Sequence, residues 1–272
     1  MKKNFLIIIL IILYTNVFGQ SLAGKTFFAS GPEIEQSYSF TRDRFTYNFD
    51  VFYLESKSLT KSYFYEIKYI NKIPFIFYGK EYSDNSDKQL ILFNDDYIFL
   101  FDNQEKKAFL EPVAFYPFCS GKYTTDAKGD LIVNSVFNRK YSSVLKEKDH
   151  EYKIADGNYV SPWVPDLKKD KKPSITFSVG NYTKRIILIN GFVNPEKPYL
   201  YEQNSRVKTA EVIFRNTAKK ESETRQIILE DTPNPQYIFV PGNFIADEIE
   251  IKIIDTYEGN KYTDIAVSYI GY

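Results

Sequence analysis

Apolar and polar positions alternate at period two through much of the first half of the chain. Phe45, Tyr47, Phe49, Val51 and Tyr53 point one way, with Thr46, Asn48 and Asp50 opposite. Tyr63, Tyr65, Ile67 and Tyr69 repeat the pattern against Ser62, Glu66 and Lys68. Successive side chains of a strand point to opposite faces, so this spacing predicts strands with one greasy and one wet face. Further strands are expected at 73–78, 89–93 and 97–101. The last two flank Asn94-Asp95-Asp96, a turn cluster that suits a hairpin. Consecutive hairpins make an antiparallel meander, and closing it into a small barrel removes its edges. This N-terminal domain is expected over 22–117. A linker over 118–137 follows, rich in Gly, Thr, Asp and Lys.

The pattern then changes. Short strands are expected at 174–179, 184–189, 208–215, 224–229, 237–240, 248–254 and 266–270, with Pro and Asn-Gly between them. Seven or eight short strands at this spacing predict a two-sheet sandwich over 138–272. No long window carries apolar residues at three-to-four spacing, so little helix is expected. The fold class is therefore all-β, an N-terminal meander or small barrel followed by a sandwich. The 23 Tyr and 23 Phe favour strands in the same sense.

The extreme N-terminus breaks this pattern. Lys2 and Lys3 precede a continuous apolar run over 5–14, far shorter than the ~20 residues that cross a bilayer. A basic start, a short apolar core and the exit Val17-Phe18-Gly19 predict a secretory signal peptide over 1–19. The mature chain is then exported, to the periplasm or the medium, with no membrane span. Basic and acidic residues balance at 35 each, or 35 − 2 = 33 basic once Lys2 and Lys3 are removed. That balance argues against nucleic acid as a partner, since phosphates need a basic face.

Cys119 is the sole cysteine, so no intrachain disulfide and no Cys-based metal site can form. It reads as a buried, inert thiol. His150 is the sole histidine, which leaves no two-His metal site and at most one triad. The chain has no Gly-x-Ser-x-Gly elbow, no phosphate-cradling glycine loop and no His-x-x-x-His. Hence no catalytic residue, metal or cofactor is expected, although an enzyme built on carboxylates alone stays open.

A series of short motifs in the second half carries a family resemblance. Tyr141-Ser142-Ser143-Val144-Leu145 is similar to the first strand of discoidin-like domains. Asp156-Gly157 followed by Ser161-Pro162-Trp163-Val164 is similar to their Asp-Gly loop and the Trp a few residues on. Ile187-Leu188-Ile189-Asn190-Gly191-Phe192, then the segment 197–208, then Asp231-Thr232-Pro233-Asn234-Pro235-Gln236 and the segment 255–266 complete the order. The ordered series resembles the F5/8 type C domain attached to secreted NAD glycohydrolases, the NADase-type glycan-binding or translocation family. The resemblance implies a galactose-binding-like jelly roll that recognises a glycan or a cell-surface ligand. It does not imply NAD cleavage, which belongs to a different domain. One departure is Val164-Pro165-Asp166 and a lysine run in place of a Glu and a Gly-rich stretch after the Trp. An envelope protein is the alternative partner.

Each candidate ligand-binding residue has two readings. Trp163 can stack on the apolar face of a sugar and keep its N–H for a hydroxyl, or plug the end of the core. Asp156 can offer oxygens to a cation or hold its own turn. Asn190, a further candidate, sits with Gly191 in what reads as a tight turn. Asn204 and Arg206 are polar candidates, the guanidinium offering a planar fork to hydroxyls or carboxylates, or pairing internally with Asp264 or Asp255. Tyr262 and Asp264 lie in another loop and face either core or ligand. The run Lys168 to Lys172 reads as a solvated loop.

Overall fold

The computed structural model describes residues 22–30, 34–51, 57–81, 87–95, 97–100, 116–120, 136–148, 150–154 and 162–272. The expected signal peptide and Asp156 lie outside the described residues, as does the side chain of Cys119.

Eight strands make up the first half: β1 (Thr26–Ser30), β2 (Ile34–Phe40), β3 (Arg44–Val51), β4 (Lys57–Ile70), β5 (Ile73–Gly79), β6 (Asp87–Phe93), β7 (Tyr97–Leu100) and β8 (Tyr116–Ser120). Each pairs antiparallel with the next, and β8 returns to β1 through Phe27↔Ser120 and Phe28↔Cys119, so the meander closes into a barrel. Residues 118–120, expected in the linker, are instead part of this closing strand. Pro117, which lacks the ladder's donor, lies within β8 opposite Phe99.

The barrel interior is aromatic. Phe27, Phe40, Phe45, Ile76, Ile91, Phe93 and Ile98 fill it, with Tyr38, Tyr47, Tyr63, Tyr65 and Tyr78 packed around them. Phe45 meets Tyr78 edge-on at 5.5 Å, and Tyr63 meets Tyr78 edge-on at 5.4 Å, the geometry that ring quadrupoles favour. The outer face of β3 and β4 is wet, as the alternation requires, with Thr60 donating to Asn48 at 2.9 Å. Tyr69, expected to pack with Tyr63 and Tyr65, is exposed because it sits at the end of β4, beside the turn to β5.

The second half contains β9 (Phe137–Tyr141), β10 (Lys146–Glu147), β11 (His150–Glu151), β12 (Ser174–Ser178), β13 (Arg185–Asn190), a one-turn helix α1 (Leu200–Gln203), β14 (Arg206–Asn216), β15 (Glu221–Ile228), β16 (Gln236–Phe239), β17 (Glu248–Tyr257) and β18 (Val267–Gly271). A five-stranded sheet, β15-β14-β17-β12-β9, faces a three-stranded one, β16-β13-β18. Ile175, Phe177, Ala210, Val212, Phe214, Ile249 and Ile251 from the first pack against Ile186, Leu188, Ile238 and Ile270 from the second. All seven strands expected here are present, and β10–β11 is a small extra hairpin.

The two halves share a core. Strands β5, β6 and β7 are apolar on both faces: Ile76, Ile91 and Ile98 point into the barrel, while Ile73, Phe75, Leu90, Leu92 and Phe99 point out. The outward set packs on Ile187, Ile189, Val193 and Tyr201, with Tyr237 and Tyr269 beside them. The three-stranded sheet is thus covered by the other sheet on one side and by the barrel wall on the other. Polar contacts border this seam. Asn94 donates to the Pro235 carbonyl at 3.1 Å, the Phe93 N–H donates to Asn234 at 3.2 Å, and Lys72 pairs with Asp231 at 2.8 Å.

Candidate functional site

The loops at one end of the sandwich enclose a cleft of about 510 Å³. The β10–β11 hairpin contributes Glu147 and His150, and Tyr152 follows it. The chain after β13 contributes Phe192, Lys197 and Tyr199. The α1 segment contributes Leu200, Gln203 and Asn204, and the β17–β18 loop contributes Lys261, Tyr262 and Asp264. Aromatic walls and polar groups therefore alternate around the opening.

Local hydrogen bonds explain why these segments converge. Leu145 N–H donates to the Val164 carbonyl at 2.8 Å and Tyr152 N–H to the Leu145 carbonyl at 3.1 Å, seating the hairpin on one wall. On the other wall, Asn260 N–H donates to the Glu202 carbonyl at 3.0 Å and Tyr262 N–H to the Gln203 carbonyl at 2.8 Å. These bonds satisfy carbonyls at the C-terminus of α1 that have no partner inside so short a helix. The approach is close enough to require glycine at 259, where a Cβ would stand 2.3 Å from the Gln203 carbonyl oxygen.

Inside the cleft, the Tyr152 hydroxyl donates to Glu147 at 3.2 Å, and its ring meets His150 edge-on at 4.5 Å and Phe192 edge-on at 6.4 Å. Lys261 lies 4.9 Å from the centre of the Tyr262 ring. Among the described residues the Asp264 carboxylate has neither a hydrogen bond nor an ion pair, so its lone pairs are open to a ligand. Burial pushes the Asp264 carboxyl above its ordinary range, and the charges of Glu147 and Asp166 push the same way against Lys168. Burial likewise raises the Tyr152 hydroxyl, helped by the neighbouring charges of Glu147 and Asp264. Among the described residues no group of three His, Cys, Asp or Glu is placed to hold a metal ion, and no helix is long and apolar enough to cross a membrane.

Of the residues picked out by sequence, Asn204, Tyr262 and Asp264 line this cleft, although Asn204 is buried and its side-chain amide already donates to the Leu200 carbonyl at 2.8 Å. Three others do not. Trp163 is 1% exposed, belongs to the sandwich core, and donates its indole N–H to the Ser143 carbonyl at 3.0 Å. It is the core plug, with no face left for a sugar. Asn190 is fully buried at the end of β13, where its side chain donates to the Val207 carbonyl at 2.7 Å and accepts from the Val207 N–H at 2.9 Å. It stitches β13 to β14 rather than forming a hairpin turn. Gly191 beside it does adopt φ +84°, and a Cβ there would stand 2.5 Å from the Tyr201 ring.

Arg206 is the third correction. Its fork is already filled: Nε donates to Asp231 Oδ1 at 2.9 Å and Nη2 to Asp231 Oδ2 at 3.0 Å. Nη1 donates to the Asn204 carbonyl at 2.8 Å and the Glu258 carbonyl at 3.2 Å. The acid is Asp231, not Asp264 or Asp255; Asp255 pairs with Lys208 at 3.0 Å instead. A bidentate pair at this depth is a structural clamp. Sequence reasoning missed Tyr152, Phe192 and Glu147 as cleft residues. The small hairpin that presents Glu147 is two residues per strand, too short to leave a periodic signal.

The second half is thus a two-sheet β-sandwich with a loop cleft at one end. The NAD glycohydrolase translocation F5/8 type C domain family matches residues 133–272, and the chain belongs to that family. Among solved structures, the family 32 carbohydrate-binding module of C. perfringens NanJ, in complex with galactose, is 16% identical, with 49% of this chain and 90% of that one covered at TM-score 0.37. A Clostridium perfringens module, CpGH89CBM32-5, in complex with GalNAc-β-1,3-galactose, is 10% identical over 49% and 92% at TM-score 0.38. A structure described as a glycoside hydrolase is 12% identical, covering 89% of this chain and 59% of its own at TM-score 0.33. The chain therefore spans about three fifths of that last protein. No curated protein matches the chain. The family assignment rests on the sequence match.

Proposed function

We propose that the protein is an exported, non-catalytic binding protein whose jelly roll holds a glycan in the loop cleft, with Asp264, Asn204 and Tyr262 among its contacts. Membership of a translocation and binding family supports a recognition role over a chemical one. The observation that carries the reading is the Asp264 carboxylate, unpartnered among the described residues, in a cleft also lined by Tyr152, Phe192 and Tyr262. A sugar ring presents an apolar face to rings such as Tyr152, Phe192 and Tyr262 and hydroxyls that a free carboxylate accepts. A protein-docking loop end would instead show a broad apolar patch, and this cleft is interleaved with Glu147, His150, Lys197 and Lys261.

The test is a glycan array on the mature chain, followed by titration calorimetry with the best hit and with Asp264→Asn and Tyr262→Ala. Loss of a hydrogen bond to a charged acceptor weakens binding by about 1.5–3 kcal/mol, or roughly ten- to a hundredfold in Kd. Binding that survives both substitutions unchanged would move the site elsewhere, and an array with no hit would reject a glycan ligand.

A further inference from the structure

The turn between β4 and β5 belongs to the barrel, yet its side chains end on the far side of the seam. It consists of Asn71 and Lys72, with φ of 49° and 65°, two consecutive left-handed residues closing a two-residue hairpin. Such turns favour Asn followed by Gly, because the second position strains any residue with a Cβ. Lysine occupies that position here. Its ammonium reaches Asp231 Oδ2 at 2.8 Å. The Asn71 amide, oriented to satisfy both neighbours, donates to the Glu202 carboxylate at 3.3 Å and accepts from the Tyr199 N–H at 3.2 Å.

These contacts converge on α1. A four-residue helix cannot hold its own shape, and its N-cap position, Tyr199, makes no side-chain cap hydrogen bond. One side of α1 lines the cleft through Tyr199, Leu200, Gln203 and Asn204. The other side is tied down. Tyr201 is buried in the shared core, its hydroxyl 3.4 Å from Asp231, and Asp231 is clamped to Arg206, which in turn holds the Asn204 carbonyl. The barrel turn therefore touches the cleft wall twice: directly at Tyr199 and Glu202, and through Asp231 and Arg206 at Asn204.

We propose that Asn71 and Lys72 are positioning residues for the cleft, so that the binding site is a joint product of barrel and jelly roll, an inference that rests on the cleft being the ligand site. The strained lysine contributes at this glycine-type position through its side chain, not its backbone. Neither residue touches the ligand; both act through α1.

Lys72→Gly separates this from a general stabilising role, because glycine relieves the turn while deleting the reach to Asp231. Hydrogen exchange on the full mature chain reads α1 directly through the Gln203 and Asn204 amides, which donate to the Tyr199 and Leu200 carbonyls at 3.1 Å each. The expected result for Lys72→Gly, and more so with Asn71→Gly added, is exchange at these amides about fivefold faster or more, with the β14 and β17 amides unchanged. The midpoint of thermal unfolding should hold or rise, and Lys72→Arg should restore native exchange. Calorimetry with a galactose-terminated oligosaccharide should show Kd weakened by a similar factor. Unchanged α1 exchange in the double variant would overturn the proposal, as would faster exchange spread evenly over both halves. Loosened α1 amides in a protein whose native form binds no glycan would uphold the positioning and reject the glycan reading instead.

Discussion

The two sheets of the sandwich differ in what lies on their outer faces. Outside the five-stranded sheet, charged side chains pair across neighbouring strands. Arg215 meets Glu248 at 3.1 Å and also bonds Glu250, and Lys252 meets Glu211 at 3.4 Å. Outside the three-stranded sheet, Ile187, Ile189, Tyr237 and Tyr269 press against the barrel, with Phe99 and Tyr269 edge-on at 5.8 Å. One face is finished for water and the other for a partner within the same chain. The lesson is that the jelly roll here is not a free-standing bead on a linker. Its thinner sheet depends on the barrel for cover.

The contrast can be broken most severely at the clamp where barrel, α1 and sheet meet. Arg206→Ala leaves Asp231 partly buried without its fork and strips two carbonyls of their donor, so a loss of about 3–5 kcal/mol is expected in chemical denaturation. Phe75→Ala, on the barrel side of the seam, should cost about 3 kcal/mol through the cavity it leaves. A single cooperative transition shared by barrel and sandwich, shifted as one, is the expected form of that loss. Two separate transitions would mean that the seam contributes little.

A pH titration sharpens the same point. Burial acts to raise the Asp231 carboxyl, but hydrogen bonds and charge from Arg206 and Lys72 outweigh it and hold the group below its ordinary range. A depressed folded value means stabilisation that is present above the unfolded value, near 3.9, and lost as pH falls through the folded one. Asp264 has the opposite sign. Its raised value makes the folded state less stable as pH climbs from the unfolded value through the folded one. Asp231→Asn should therefore flatten the acid limb of the stability profile, and Asp264→Asn should leave that limb intact while gaining stability at neutral pH.

The smallest effects belong on the wet face. Glu211→Gln, which removes the partner of Lys252 in an exposed pair, should cost about 0.2–1 kcal/mol and lose even that in high salt. Ile254→Ala, at a side chain 56% exposed, should stay within about 0.5 kcal/mol of the parent. A large loss at either position would mean that this face, too, is covered.

Much of the fold was legible in the sequence. Period-two alternation located β3 and β4, and turn residues separated the seven strands of the sandwich, because each of these signals is local. The seam was legible in principle as well. Ile73-Pro74-Phe75-Ile76-Phe77, Leu90-Ile91-Leu92-Phe93 and Ile186-Ile187-Leu188-Ile189 are continuous apolar runs, the mark of strands buried on both faces. Read only as strands, they conceal that barrel and sandwich share a core.

The candidate site was legible in part, and the division is physical. Residue type and loop position drew attention to Asn204, Tyr262 and Asp264, and these line the cleft. The same criteria drew attention to Trp163, Asn190 and Arg206, which turn inward to Ser143, Val207 and Asp231. An indole, an amide or a guanidinium serves a ligand or a fold equally well by its chemistry. Local sequence determined the strands, the turns and the family. Only the tertiary structure, by bringing residues from 17 positions apart (Asn190 and Val207) to 159 apart (Lys72 and Asp231) into contact, decided which polar groups the protein itself already satisfies.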